Sequence, residues 1–421
     1  MARKLRGKPV WSWSIIIVLV SICTGVVMAN RHPFQSERYE DLKIFTEVLS
    51  YVEANYVEEV EPERVIHGAI RGMLRSLDPH SSFMPPEMFG EMQVETEGRF
   101  GGLGIEITIR DDVLTVVAPI EETPAFRAGV MAGDQIVLVE GESTKDMTLI
   151  EAVKRLRGPE GSEVTIGIMR PGFTEPRDFT IVRAIIKIKS VRWTQLPEDV
   201  GYIKVRSFQK TTVNEVKEAV RELESQGMSA LVLDLRNNPG GLLDQAISVS
   251  ELFLEDGKLI VYTKGRLTNQ DMKGFSKGGN IWSSQPLAIL INGGSASASE
   301  IVAGALKDWD RATLIGTQSF GKGSVQTIIP LSDGSGLRLT TAKYYTPNNA
   351  EIHGEGITPD IVVELEPVTP SDDPEEELRS RRRMELPGED MTGDAQLQKA
   401  FDFLTSDAAA KKKAAQAGAE E

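Results

Sequence analysis

The chain has 421 residues, 40% apolar and 26% charged, enough for two or three domains of about 150 residues with substantial cores. Its 62 acidic residues outnumber 47 basic ones, a net charge of −15, which argues against a protein that grips nucleic acid through a basic face. One cysteine (Cys23) and four histidines (His32, His67, His80, His353) without an HExxH spacing exclude a disulfide framework, a CxxC redox pair and a multi-cysteine zinc site, and argue against a zinc hydrolase.

Arg3, Lys4, Arg6 and Lys8 precede an uncharged stretch, 9–30, whose centre IIIVLVSICTGVVMA is long enough for one helical crossing of a bilayer core of about 30 Å. The basic leading side sets the N-terminus in the cytoplasm. We read residues 10–29 as a retained inner-membrane anchor with the body in the periplasm. The alternative is a signal peptide cut after Val27-Met28-Ala29, leaving a soluble periplasmic or secreted protein. Cys23 is a poor lipidation site because bulky Ile22 precedes it.

From Leu42, apolar residues recur at Phe45, Val48, Leu49, Val52 and Tyr56, a helical spacing. A second helix is expected from Pro62 to Asp78-Pro79, burying Val65, Ile66, Ala69, Ile70, Met73 and Leu77. Two such helices cannot bury both apolar faces alone, so a neighbour or a second subunit is expected to cover them. From about 98 to 186 the pattern becomes short strands with glycine punctuation (GIEITI, LTVVAP, DQIVLVEG, EVTIGIM, DFTIV), and TLIEAVKRLRG is the one helix among them. Region 187–366 alternates strands (YIKVRSF, ALVLDLR, PLAILIN) with helices (VNEVKEAVRELESQG, LLDQAISVSELFL, SEIVAGALKDW), which predicts βα units on a largely parallel sheet. Beyond Pro367 a charged linker precedes a short helix, AQLQKAFDFL, with Leu397, Phe401 and Leu404 on one face. An alanine- and charge-rich tail from Ala408 is expected to be disordered.

Four segments carry chemistry. Asn292-Gly293-Gly294-Ser295-Ala296-Ser297-Ala298-Ser299-Glu300 joins a strand to a helix, where a parallel sheet exposes side chains and helix-start N–H groups face an oxyanion. The same residues fit an S-x-x-E capping box. Gly316 to Gln326 nearly spells a phosphate-binding loop, but Gly323 stands where the magnesium-binding hydroxyl belongs. A desolvated, neutral lysine amine can instead serve as base for a serine, with Gln326 four residues on to hold it; Lys322 reads equally as an ordinary surface lysine in a glycine loop. Asp234-Leu235-Arg236-Asn237-Asn238-Pro239-Gly240-Gly241 reads equally as an amide donor loop or as a tight turn. Gly101-Gly102-Leu103-Gly104-Ile105 runs into a strand and offers free N–H groups to a peptide carboxylate.

Together these segments resemble the carboxyl-terminal processing (tail-specific) protease family of serine peptidases. NGGSASASEIVAGALKD is similar to its nucleophile segment and GTQSFGKGSVQ to its lysine segment; DLRNNPGG and GEGITPD fit as well. FGGLGIEI with TPAFRAGVMAGDQIVLVEG resembles its PDZ domain, and AIRGMLRSLDPHSSF its N-terminal helices, so the resemblance spans roughly 40–365. It implies an α/β protein with a crotonase-like catalytic core and an inserted PDZ domain. The expected segments are 1–30 (anchor or signal), 37–95 (helices), 96–186 (PDZ), 187–366 (protease core) and 367–421 (linker, helix, tail). It also implies Ser297 as nucleophile, Lys322 as general base, Gln326 as the residue orienting the lysine, and an oxyanion hole from the amides of Ala298 and Gly240 or Gly241. Gly102, Leu103, Gly104 and Ile105 are expected to bind the peptide end, and the apolar Leu103 and Ile105 point to small or hydrophobic C-termini. Arg157 is a candidate for linking the groove to the core, against its plainer role as a helix-end arginine. No metal or organic cofactor is implied. Homo-oligomers are expected, with room for an adaptor protein. The activity expected is cleavage of proteins recognised by their C-terminal tails; a catalytically idle PDZ scaffold and a small-ligand enzyme on the same core are the other classes. His353 is the one histidine that invites a Ser–His reading, and the lysine motif is the better base.

Overall fold

The computed structural model of the chain describes residues 33–282, 284–364, 387, 391 and 393–406. The proposed anchor at 10–29, Cys23, the charged linker and the alanine-rich tail lie outside them. The chain divides into two compact units between Phe83 and Met84.

The first unit holds helices Pro33–Asn55 and Pro62–Arg75. Pro62 at the first position, Glu63 in the first turn and Arg75 in the last suit the helix dipole and fix the second helix. Asp78 then accepts from the N–H groups of His80 and Ser81, making the turn that stops it. Burial differs from the expectation. Leu74 is the one buried residue of the helix, while Met73 and Leu77 are 60% and 61% exposed and Leu77 lies beyond its end. Leu42, Phe45, Val48 and Tyr56 are exposed as well. The apolar stripes are real, but among the described residues nothing buries most of them.

In the second unit, helix Pro86–Glu97 ends at Gly98 in the left-handed region (φ 69°). Strand Arg99–Gly102 follows and pairs with Ala184–Lys187. A mostly antiparallel sheet comes next, in the order Ile105–Arg110, Val113–Pro119, Gln135–Val139, Glu163–Met169, Arg177–Val182. Helix Leu149–Leu156 packs on it through Ala152 and Leu156 and starts with a Thr148–Glu151 capping box.

The third part is a six-stranded sheet: Val191–Gln195, Val200–Val205, Ala230–Asp234, Leu287–Ile291, Thr313–Gly316, Ile361–Val362. Its first pair is antiparallel and all the others parallel, as the βα alternation predicts. Both central strands are buried throughout, as a sheet covered on two faces requires. Leu231, Leu233, Leu287 and Ile289 pack in one cluster with helices Thr212–Ser225, Leu243–Glu251 and Ala298–Asp308. The alternate residues Ala230, Val232, Ala288 and Leu290 pack in another, with Leu397, Ala400, Phe401 and Leu404 of helix Ala395–Thr405. A second, antiparallel sheet absent from the sequence reading joins Ser324–Pro330, Gly336–Tyr345, Leu259–Gly265 and Lys273–Phe275.

Candidate active site

Three adjacent parallel strands, Ala230–Asp234, Leu287–Ile291 and Thr313–Gly316, end at one edge. The loops that leave them are the Asn-Pro-Gly-Gly turn, the serine-rich turn and the lysine loop. A topological edge of this kind is where parallel sheets place chemistry.

The serine turn is locked from below. Ser295 Oγ donates to Leu235 O at 2.8 Å, Ser299 Oγ donates to Asn238 O at 2.9 Å, and Ala296 N donates to that same carbonyl at 2.9 Å. Ser295 and Ser299 are therefore spent on structure. Ser297 between them is half-buried and has φ 57° and ψ −113°. A non-glycine residue held at positive φ stores about 1–3 kcal/mol of strain and is kept there by its surroundings.

The surroundings converge on Glu300, which is fully buried. Its carboxylate accepts from Ser297 N (2.7 Å), Ser319 Oγ (2.6 Å), Gly321 N (2.7 Å) and Lys322 N (2.9 Å). Only the bond to Ser297 belongs to the capping box legible in the sequence; the others fasten the lysine loop to the serine turn. Phe320 N adds a bond to Ser295 O at 3.0 Å. Across the site, the Tyr344 hydroxyl donates its one proton to Lys322 O at 2.5 Å, and its oxygen lies 2.9 Å from Ser297 Oγ, within hydrogen-bond reach.

Lys322 is half-buried. Desolvation, helped by the charge of Arg338 and opposed by Glu300, holds its amine below the usual value of 10.5. Its side-chain nitrogen makes no hydrogen bond among the described residues. Gln326 lies on the adjoining strand with its amide nitrogen on Thr340 Oγ1 (2.9 Å) and Ser324 Oγ (3.1 Å), not on Lys322. A β-bulge between Val325 and Gln326 breaks the alternation that would set the two on one face. His353 is exposed.

Of the three amide candidates, Gly240 N already donates to Asn238 Oδ1 at 2.9 Å. Those of Ala298 and Gly241 make no hydrogen bond among the described residues. Gly240 (φ +100°) is pressed on the serine-rich turn: an added Cβ would lie 2.7 Å from Ser297 Cβ. Behind this loop, Arg236 grips Asp234 and forms two 2.7 Å bonds to Asp394 beside the C-terminal helix. Burial alone would raise Asp234, but Arg236, Lys204 and Tyr202 bring it down to about 2.

A second site lies between edge strand Ile105–Arg110 and helix Leu149–Leu156, lined by Phe100, Leu103, Ile105, Ile107, Val153 and Leu156. Gly104 has φ +77°, and its carbonyl and that of Leu103 accept from Ile120 and Ala125. The N–H groups of Leu103 and Gly104 have no acceptor among the described residues. Arg157 closes one end, stacked 4.4 Å over the Phe100 ring and donating to Glu91 at 2.6 Å. Among the described residues no cluster of His, Cys, Asp and Glu is placed to hold a metal ion.

Compared with known proteins, residues 199–363 match peptidase family S41, 115–170 a PDZ domain, and 24–88 the N-terminal domain of the activating protease CtpB. The chain is 49% identical over 345 residues to a carboxy-terminal-processing protease of Bartonella bacilliformis, covering 80% of this chain and 79% of the relative. It is 42% identical to a carboxyl-terminal-processing protease of Synechocystis, covering 70% of each. Among solved structures, the photosystem II D1 C-terminal processing protease is 31% identical with a TM-score of 0.44, over 76% of this chain and 92% of that one.

Proposed function

The chain belongs to peptidase family S41 as a PDZ-containing carboxy-terminal-processing protease, and we propose that it cuts its substrates with a Ser297–Lys322 dyad. The observation that carries this reading is the Glu300 carboxylate, which ties the strained serine and the desolvated lysine into one site. Neutral Lys322 takes the seryl proton as Oγ attacks the peptide carbonyl. The N–H groups of Ala298 and Gly241 hold the oxyanion, and Gly240 provides the close approach. The leaving amine takes the proton back from Lys322, and water then hydrolyses the acyl-enzyme with the same amine as base. In the resting chain the lysine must still turn toward Oγ, and Gln326 is positioned to follow by leaving Thr340 on the neighbouring strand.

Substrate tails enter the second site. Their carboxylate meets the N–H groups of the Gly102–Ile105 loop, the strand adds to the edge at Ile105, and a small or apolar terminal residue fills the pocket. A chain of contacts supports coupling of this groove to the core through Arg157 and Glu91. Helix Pro86–Glu97 is bound to Lys210 through Thr96 and Glu97, and nearby Phe208 is bonded to Gly240 and Leu242. We read the segments 37–95, 96–186, 187–366 and 367–421 as the working parts. The exposed apolar helix faces of the first unit serve a homo-oligomer, with an adaptor protein as a further partner. Envelope location rests on residues 10–29. No helix among the described residues is long and apolar enough to cross a membrane, so this part stands on the N-terminal sequence.

Acid quenching during turnover of a peptide with an apolar C-terminus, followed by peptide mapping, tests the reading. An acyl adduct on Ser297 is expected. An adduct on Ser295 or Ser299, or binding without cleavage, contradicts it.

A further inference from the structure

We propose that Tyr344 is a third catalytic residue, whose hydroxyl donates to the Ser297 oxygen during attack and shares the charge growing there. The proposal rests on the Ser297–Lys322 reading above. Tyr344 stands on strand Gly336–Tyr345, which pairs with the strand that follows the lysine loop. Its backbone N–H donates to Gly323 O at 3.0 Å. The side chain is 2% exposed, and a buried phenol needs partners. The partners it has are Ser297 Oγ at 2.9 Å and the Lys322 carbonyl at 2.5 Å. The carbonyl bond anchors the phenol to the lysine loop, and the other partner is the seryl oxygen itself.

The chemistry follows from counting protons. A seryl hydroxyl has one proton to give and two lone pairs that accept. The phenol also has one proton, and at rest the Lys322 carbonyl, which can only accept, holds it at 2.5 Å, so the seryl proton points to the phenol oxygen at 2.9 Å. During attack the Oγ–H bond breaks, the proton passes to the lysine amine, and the Oγ–carbon bond forms. Tyr344 keeps its own proton and turns it from the Lys322 carbonyl to Oγ as that oxygen loses its hydrogen and gains charge. Burial foremost, with the Glu300 charge adding, pushes the phenol well above its usual value, so it remains protonated throughout the working range and never acts as the base.

The test is the rate at which a serine-directed fluorophosphonate labels Ser297, measured with kcat, KM and the pH profile for peptide cleavage. Tyr344→Phe is expected to slow both labelling and kcat by about 10- to 100-fold, with KM within twofold and the rising lysine limb of the pH profile unmoved. Unchanged labelling, a loss confined to KM, or a displaced lysine limb overturns the proposal, the last because it reports a shifted lysine loop. If Tyr344→Phe is poorly folded, 2,3,5-trifluorotyrosine at position 344 keeps the shape and makes the hydroxyl more acidic. It should retain activity near neutral pH and gain a falling alkaline limb as the donor is lost; a profile like that of the unmodified protein overturns the proposal. Wild-type protein labelled at a residue other than Ser297 refutes the dyad itself. Wild-type labelling at Ser297 with an equally fast Tyr344→Phe variant refutes only the tyrosine.

Discussion

Two glycine-rich loops in this molecule carry backbone N–H groups without acceptors among the described residues, and they are built in opposite ways. The Gly240-Gly241 loop is braced by side chains. Asn238 reaches Val205 O and Gly240 N, Asn237 and Asn292 bond each other across two turns, and Arg236 is clamped between Asp234 and Asp394. The Leu103-Gly104 loop is held by backbone bonds and the Thr123 hydroxyl, and the arginine at its rim is paired to a half-exposed glutamate. A transition-state oxygen gains from donors fixed in advance. A docking loop must accept different tails, and backbone strand pairing gives affinity without demanding one side chain.

That contrast can be broken at its strongest point first. Ser297→Ala and Lys322→Arg should each lower peptide cleavage by at least about 10³-fold with the fold retained, because arginine keeps a cation but supplies no neutral amine. Surviving turnover in either variant, read by mass spectrometry of products, removes the dyad. Next comes Glu300→Gln, which sets an amide nitrogen against N–H donors now held by a carboxylate. A loss of about 10²-fold in kcat and about 2–4 kcal/mol in stability is expected, checked by kinetics and urea unfolding. Wild-type values there would mean that the braces are decorative.

Gly104→Val should act on the docking side alone. An added Cβ would lie 2.3 Å from Thr123 Cβ at a φ of +77°, and KM for apolar-tailed peptides should rise about tenfold. Hydrolysis of a small ester without a tail should stay near wild type; equal damage to both substrates would merge the two sites. The smallest effect is on pH. Cleavage should rise with pH as Lys322 loses its proton, on a limb below the ordinary lysine value of 10.5 because burial lowers it. Arg338→Gln removes a charge that also lowers Lys322, so its limb should move to higher pH. A limb moving to lower pH in that variant contradicts the assigned electrostatics.

The central βα units were legible in the sequence because their strands are continuous apolar runs bounded by turn residues, and Ser297 and Lys322 stood out in short motifs. What escaped depends on long-range contact. Glu300 looked like a helix cap because three of its four donors come from residues 19–22 positions later. Tyr344 lies 47 residues beyond Ser297, on a half-exposed strand lacking the clean alternation that marks an edge. The bulge at Val325 moved Gln326 off the face that simple counting assigned to it. The N-terminal stripes at Phe45 to Tyr56 and Val65 to Leu77 were visible, but a periodicity says which face is apolar and not what covers it.

The most direct test of the account is the pH dependence of fluorophosphonate labelling in the wild-type and Lys322→Arg proteins, with the modified residue located by mass spectrometry. The account predicts one label, on Ser297, forming faster as pH rises toward the lysine limb and failing to form in Lys322→Arg. Labelling of another serine, or a rate indifferent to both pH and the lysine, would contradict it.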